Sequence, residues 1–179
     1  RRRFAEAARK GTTTLATATP DGKPSVRVVL LRGLDDHGLT FFTNRTSRKG
    51  DELRRNPRAA LAMHWWDLGR QVRIEGVVEE VSEEESATYW ETRPRGSQIA
   101  AWASRQSRPI SARALLEQQV QSLREKFGRG EIPMPDFWGG YRVIPARIEF
   151  WQGGEHRLHD RFLYRRSAAG DWQIEQLQP

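Results

Sequence analysis

The sequence predicts an α+β protein built on an antiparallel β-barrel, closed or nearly closed, with helices inserted between its strands. Three observations lead there. About eight runs of β-branched and apolar residues are separated by turn compositions. Between residues 82 and 130 the spacing becomes helical and is punctuated by capping residues. No repeat, low-complexity tract or linker interrupts the 179 residues, so 1–179 reads as a single domain long enough to bury a core.

Residues 12–44, TTTLATATPDGKPSVRVVLLRGLDDHGLTFFTN, read as three strands broken at PDGKP and DDHG, an antiparallel meander. SRKGDELRRNP then opens with a Ser able to cap a helix, carries Asp51 and Glu52 in its early turns and stops at NP. RAALAMHWW and RQVRIEGVVEEVS continue as strands, the second alternating Val72, Ile74 and Val77 with charged neighbours and predicting a bulge at Gly76. SEEESATYWETR carries a capping box, Ser82 with Glu85, and its helix ends before Pro94. SQIAAWAS restarts with Ser97 as cap, and SARALLEQQVQSLREKFGRG is a long amphipathic helix closed by Gly128 and Gly130. After the loop EIPMPDFWGG come three strands, YRVIPARIEFWQ, HRLHDRFLYRR and WQIEQLQ, the last two joined by the turn SAAGD.

Bulk properties bound the function. The absence of cysteine removes disulfides, thiolate metal sites and thiol nucleophiles. Thirty Lys and Arg against 23 Asp and Glu give +7, which suits an anionic partner such as nucleic acid or a phosphorylated small molecule. No stretch approaches the roughly 18 apolar residues of a membrane span, and RRRFAEAARK lacks the apolar centre of a signal peptide. A soluble, cytoplasmic protein is expected, and the missing initiator Met points to a true start further upstream. The four histidines, His37, His64, His156 and His159, form no pair with metal-site spacing, and no glycine-rich phosphate loop is present.

Three constellations carry chemistry. Tyr89 and Arg93 are four apart on one helix, and Ser97 opens the next, where free N–H groups favour an anion. A phenol, a guanidinium fork and a hydroxyl suit a phosphate monoester; the plainer reading is a capped helix pair with a surface Arg. SRKG, residues 47–50, is a second basic helix start, with Arg27 on an earlier strand as a possible neighbour; a solvated charge pair is its plainer reading. Finally, strand alternation places Arg157, His159 and Arg161 on one face, an arrangement that is costly unless an anion joins it.

The ordered series RVVLLR, FFTNRTSRKG, RQVRIEG, RPRGSQIAAWASRQS, FWGGYRV, IEFWQGGEHRLHDRFLY and a terminal LQP resembles the pyridoxine 5'-phosphate oxidase family of flavin enzymes nearly end to end. The resemblance implies a split β-barrel homodimer with FMN bound noncovalently at the subunit interface. It implies flavin contacts from Arg27, Val28, Leu30, Arg32, Phe42, Thr43, Arg48, Lys49, Gln71, Gln106, Ser107, Trp151 and Arg161. It gives the substrate phosphate to Arg32, Tyr89, Arg93 and Ser97, and sets Arg157 and His159 against the pyridine ring as the catalytic pair. The reaction it implies is hydride transfer from the C4' alcohol or amine of a phosphorylated B6 vitamer to the flavin, which dioxygen reoxidises with release of hydrogen peroxide. No metal, nucleic acid or membrane is required.

Three departures from the family pattern stand out. Arg32 replaces a common Lys, Phe42 a frequent Tyr, and QLQP the common RLAP. Relatives that oxidise dihydrophenazine precursors also can end in LQP but tend to lose the phosphate residues, which this chain keeps. The alternatives are therefore an oxidase of an unphosphorylated dihydroaromatic, a noncatalytic module binding FMN or pyridoxal phosphate, and, third, nucleic-acid binding through the basic surface.

Overall fold

A computed structural model describes residues 11–179; the reading of RRRFAEAARK lies outside the described residues. In chain order the elements are β1 (Thr12–Ala18), β2 (Pro24–Leu34), β3 (Leu39–Asn44), α1 (Arg48–Arg55), β4 (Arg58–Trp65), β5 (Arg70–Glu80), α2 (Glu83–Glu91), α3 (Arg95–Ala103), α4 (Arg113–Phe127), β6 (Trp138–Gln152), β7 (Asp160–Arg166) and β8 (Trp172–Gln176). Short 3₁₀ turns occupy Trp66–Leu68 and Glu155–Arg157.

The strands form one sheet in the order β3-β2-β1-β4-β5-β6-β7-β8, and a further β3–β6 pairing closes the first six of these into a barrel. Neighbouring strands run antiparallel, with β7 and β8 continuing the sheet beyond β6. The expected α+β barrel with inserted helices is therefore present. Against β4, the strand at Gly76 shows no bulge. The β4–β5 register runs unbroken through Gly76, which instead lies against the Ile144 carbonyl, where a Cβ would collide. The register shift falls between β2 and β3: Leu31 faces Phe41 and Gly33 faces Thr40, leaving Arg32 as the extra residue.

Two compact units share these elements. One comprises residues up to Phe41, Glu52–Glu79 and Arg142–Pro179; the other Phe42–Asp51 and Glu80–Tyr141. In the first, alternation turns Thr13, Leu15 and Thr17 of β1 inward, and Leu15, Phe41, Leu61, Ile74 and Val143 are fully buried. A polar cluster lies among them. Buried Glu52 accepts from Thr17 (2.5 Å), Ser25 (2.5 Å) and the Arg27 guanidinium (3.2 Å).

In the second unit, Trp90, Ile99, Ile132 and Trp138 form the core, and α4 adds Val120, Leu123 and Phe127 at helical spacing. The indole of Trp90 donates to the Ile132 carbonyl at 2.8 Å, so the buried N–H is satisfied. Ser82 caps α2 as expected, accepting from Glu85 N–H at 3.0 Å. The cap of α3 differs. The helix begins at Arg95 after Pro94, so Ser97 is its third residue rather than its N-cap. Proline's fixed φ and its effect on the preceding residue make the helix start three residues earlier than the serine signal suggests.

Candidate active site

In the second unit, Tyr89 lies in the last turn of α2 and stacks on Phe42, ring centroids 4.1 Å apart at 19°. Phe42 in turn stacks on Trp138 at 5.5 Å. Arg93 falls just past the end of α2 rather than on it, because the helix stops at Glu91 with Thr92 as its C-cap. Its guanidinium lies 4.7 Å from the Trp138 ring centroid and donates to the Ser97 carbonyl at 2.9 Å. The fold therefore brings Tyr89, Arg93 and Ser97 together around Trp138, an aromatic member that sequence spacing did not single out. Its signal was the FWGG run, read as loop, of which Trp138, Gly139 and Gly140 form the start of β6.

A second cluster in the same unit gathers Thr43, Lys49 and Gln106. Lys49 is buried, and its ammonium donates to Gln106 Oε1 (2.8 Å), Thr43 Oγ1 (3.1 Å) and Ser47 Oγ (3.2 Å). Thr43 also donates to Gln106 Oε1 at 3.0 Å, and the Lys49 ammonium, which can only donate, assigns that atom as oxygen. Arg48, first residue of α1, is exposed. Ser107, beside Gln106, holds a left-handed backbone at φ 69° without being glycine.

In the first unit, β2 turns Val26, Val28, Leu30 and Arg32 to the outer face, and the three apolar members are 66%, 63% and 47% exposed. Arg27, on the opposite face, is committed to the Glu52 cluster. Gln71 of β5 pairs across from His64. Trp151 and Arg161 stand directly opposite one another on β6 and β7.

The stretch 157–161 departs from the expected strand. β7 begins only at Asp160, and Arg157 belongs to the Glu155–Arg157 turn, so alternation does not align Arg157, His159 and Arg161. His156 and Arg157 adopt left-handed φ values of 52° and 66°, consecutive non-glycine strain of about 1 kcal/mol or more each. Gly154, packed so closely on the Leu158 carbonyl that a Cβ would clash, lets the loop close. Three candidates still converge: the His159 ring lies 4.7 Å from Trp151, and Trp151 faces Arg161. His159 Nδ1 accepts from Gly154 N–H at 3.1 Å, so in the neutral ring the proton sits on Nε2.

Sequence reading missed Glu149. It is buried on β6, and one oxygen accepts from Arg161 Nε at 2.9 Å while the other accepts from Arg73 at 3.1 Å. Its hydrogen bond raises the Arg161 pKa further above its ordinary value. An acid within the apolar run IEFWQ was the available signal, since buried carboxylates are paired. Among the described residues no group of three or more His, Cys, Asp or Glu could hold a metal ion, and no helix is long and apolar enough to cross a membrane.

Residues 3–127 match the family described as Pyridoxamine 5'-phosphate oxidase, and residues 138–179 match the Pyridoxine 5'-phosphate oxidase C-terminal dimerisation region. The chain belongs to the pyridoxamine 5'-phosphate oxidase family. Among its relatives, the pyridoxine/pyridoxamine 5'-phosphate oxidase of Cupriavidus necator is 57% identical over 166 residues, covering 93% of this chain and 78% of that one. That of Rubrobacter xylanophilus is 54% identical over 181 residues, covering 98% and 83%. Among solved structures, PhzG from Burkholderia lata, in complex with tetrahydrophenazine-1-carboxylic acid, is 34% identical with a TM-score of 0.92, covering 99% of this chain and 90% of that one. A pyridoxamine 5'-phosphate oxidase-related, FMN binding protein from Nostoc punctiforme is 18% identical with a TM-score of 0.79, covering 100% and 97%, and shares the fold of this oxidase-family chain.

Proposed function

We propose that the chain is an FMN-dependent oxidase that converts pyridoxine 5'-phosphate or pyridoxamine 5'-phosphate to pyridoxal 5'-phosphate, acting as a cytoplasmic homodimer with dioxygen as acceptor and hydrogen peroxide as product. The observation that carries this reading is the convergence of Tyr89, Arg93 and Ser97 around Trp138, a set of donors suited to a phosphate monoester, in a chain 57% identical to a protein named for that activity.

The residues present fit FMN. A cationic helix start, Arg48 and Lys49, suits its phosphate. The amide nitrogen of Gln106 is a donor suited to a carbonyl or ring nitrogen, and the exposed Val28 and Leu30 face suits a planar ring. Ser107, Phe42, Thr43, Gln71, Trp151, Arg161, Arg27 and Arg32 complete the proposed holders, Arg27 acting through the Glu52 cluster that fixes β2. FMN, when bound, supplies the two-electron acceptor that dioxygen restores.

Everything else falls to the chain. Arg93, oriented by the Ser97 carbonyl and the Trp138 face, grips the substrate phosphate together with Tyr89, Ser97 and Arg32. Arg32 sits at the register shift between β2 and β3, where a bulge redirects a side chain relative to its strand neighbours. His159 offers Nε2–H for a hydrogen bond to the substrate, its tautomer fixed by Gly154. Arg157, on a strained turn, presents a cation to the ring and assists at C4'. Positioning alone suffices because the chain needs no nucleophile.

The likeness to PhzG favours one second reading, oxidation of an unphosphorylated dihydroaromatic. Arg93→Ala separates the two. Loss of a charge-assisted hydrogen bond, about 1.5–3 kcal/mol, raises KM for the phosphorylated vitamer roughly 10-fold to 100-fold. Unchanged kinetics with the vitamers, or oxidation of a dihydroaromatic that the variant leaves untouched, refutes the vitamin B6 reading.

A further inference from the structure

Arg161 is held on two sides by its own chain. Its Nε donates to Glu149 Oε1 at 2.9 Å, and its Nη1 donates to the Gln178 carbonyl at 2.9 Å. The same tail is anchored from the other direction, Leu177 N–H donating to the Arg161 carbonyl at 2.9 Å. Glu149 is in turn held by Arg73, whose Nη1 lies 3.1 Å from Oε2. The carboxylate therefore bridges β5, β6 and β7 and has both oxygens engaged. Among the described residues, this leaves both Nη2 hydrogens and one on Nη1 of Arg161 without a protein acceptor.

A guanidinium anchored at Nε cannot turn that edge to a ligand; it can offer only the remaining one. The side chain is about a quarter exposed, whereas Glu149 is 10% exposed, so a ligand meets Arg161 and not the acid. We propose that Glu149 is a positioning residue: with the tail carbonyl of Gln178, it fixes Arg161 so that its free edge faces the flavin. The assignment rests on the reading that Arg161 contacts FMN. It makes the terminal segment QLQP, which departs from the common RLAP, part of the cofactor grip through its backbone, so that its side chains are free to vary. Outer residues that orient an inner contact commonly change ligand affinity by 10-fold or more.

The test is a double-mutant cycle read by FMN release. Parent, Glu149→Gln, Arg161→Ala and the double variant are purified as holoenzymes and diluted, and free-flavin fluorescence reports dissociation. Arg161→Ala is expected to raise the FMN Kd roughly 10-fold to 100-fold, Glu149→Gln about 10-fold, and the double variant no further than Arg161→Ala alone. The melting temperature of the FMN-saturated single variant is expected to stay near that of the parent, which a merely structural role would not allow. An unchanged Kd in Glu149→Gln, or losses that multiply in the double variant, overturns the proposal. An unchanged Kd in Arg161→Ala overturns the reading of Arg161 itself, and the positioning role with it. If Glu149→Gln fails to fold, Glu149→Asp serves: the charge is kept but the reach is lost, so an equal rise in Kd supports positioning and a parental Kd refutes it.

Discussion

At the scale of single residues, the proposed site combines side chains offered to ligands with side chains that hold them. On that proposal Lys49 belongs to both groups. Its ammonium is buried and tied to Thr43, Ser47 and Gln106. Lys49→Met, which keeps the volume and removes the charge, is expected to weaken FMN binding about 10-fold or more while the protein stays folded, measured by the same dilution assay. An FMN Kd within twofold of the parent removes Lys49 from the cofactor set. The grouping of Tyr89, Arg93 and Ser97 was legible from spacing because short sequence separation keeps them close; the phosphate role given to them belongs to the proposed function. Trp138 and Glu149 were not legible, because their importance lies in contacts made across 45 residues or more, and in a charge triad built from three strands. No local pattern encodes such contacts.

Among the elements, those with strong local signals came through: the meander of β1 to β3, the Ser82 cap of α2 and the amphipathic α4 closed at Gly128. Replacing Ser82 by Ala removes the acceptor of Glu85 N–H and is expected to cost about 1 kcal/mol, near 2–4 °C in melting temperature for a chain of this size, as calorimetry would register. No shift would mean that the cap is replaced by water. The errors have a common cause. Ser97 and the 157–161 segment were assigned from residue preference and alternation, whereas backbone geometry decides both, Pro94 starting α3 early and two left-handed residues holding the chain out of β7. Arg32 is similar: the register shift at which it sits appears only in the strand pairing.

For the whole molecule, the exposed apolar residues carry the message. Val26, Val28 and Leu30 on β2, with Phe162 on β7 and Ile174 on β8, lie open in a single chain, and the last two fall in the segment that matches a dimerisation region. A homodimer covering them is expected to run at twice the 20.7 kDa chain mass by light scattering. Ile174→Glu is expected to shift that mass toward the monomer and to release flavin; a variant that stays dimeric places the interface elsewhere. The barrel class was legible because periodicity reports strands and helices directly, while closure through β3 and β6 depends on pairing between distant segments. The most direct measurement of the proposed chemistry is anaerobic. Holoenzyme reconstituted with FMN is mixed with pyridoxine 5'-phosphate while the visible flavin band is followed. The band is expected to bleach and to return on admitting air, with pyridoxal 5'-phosphate and peroxide formed; a band left unchanged by both the alcohol and the amine vitamer contradicts the proposed oxidase.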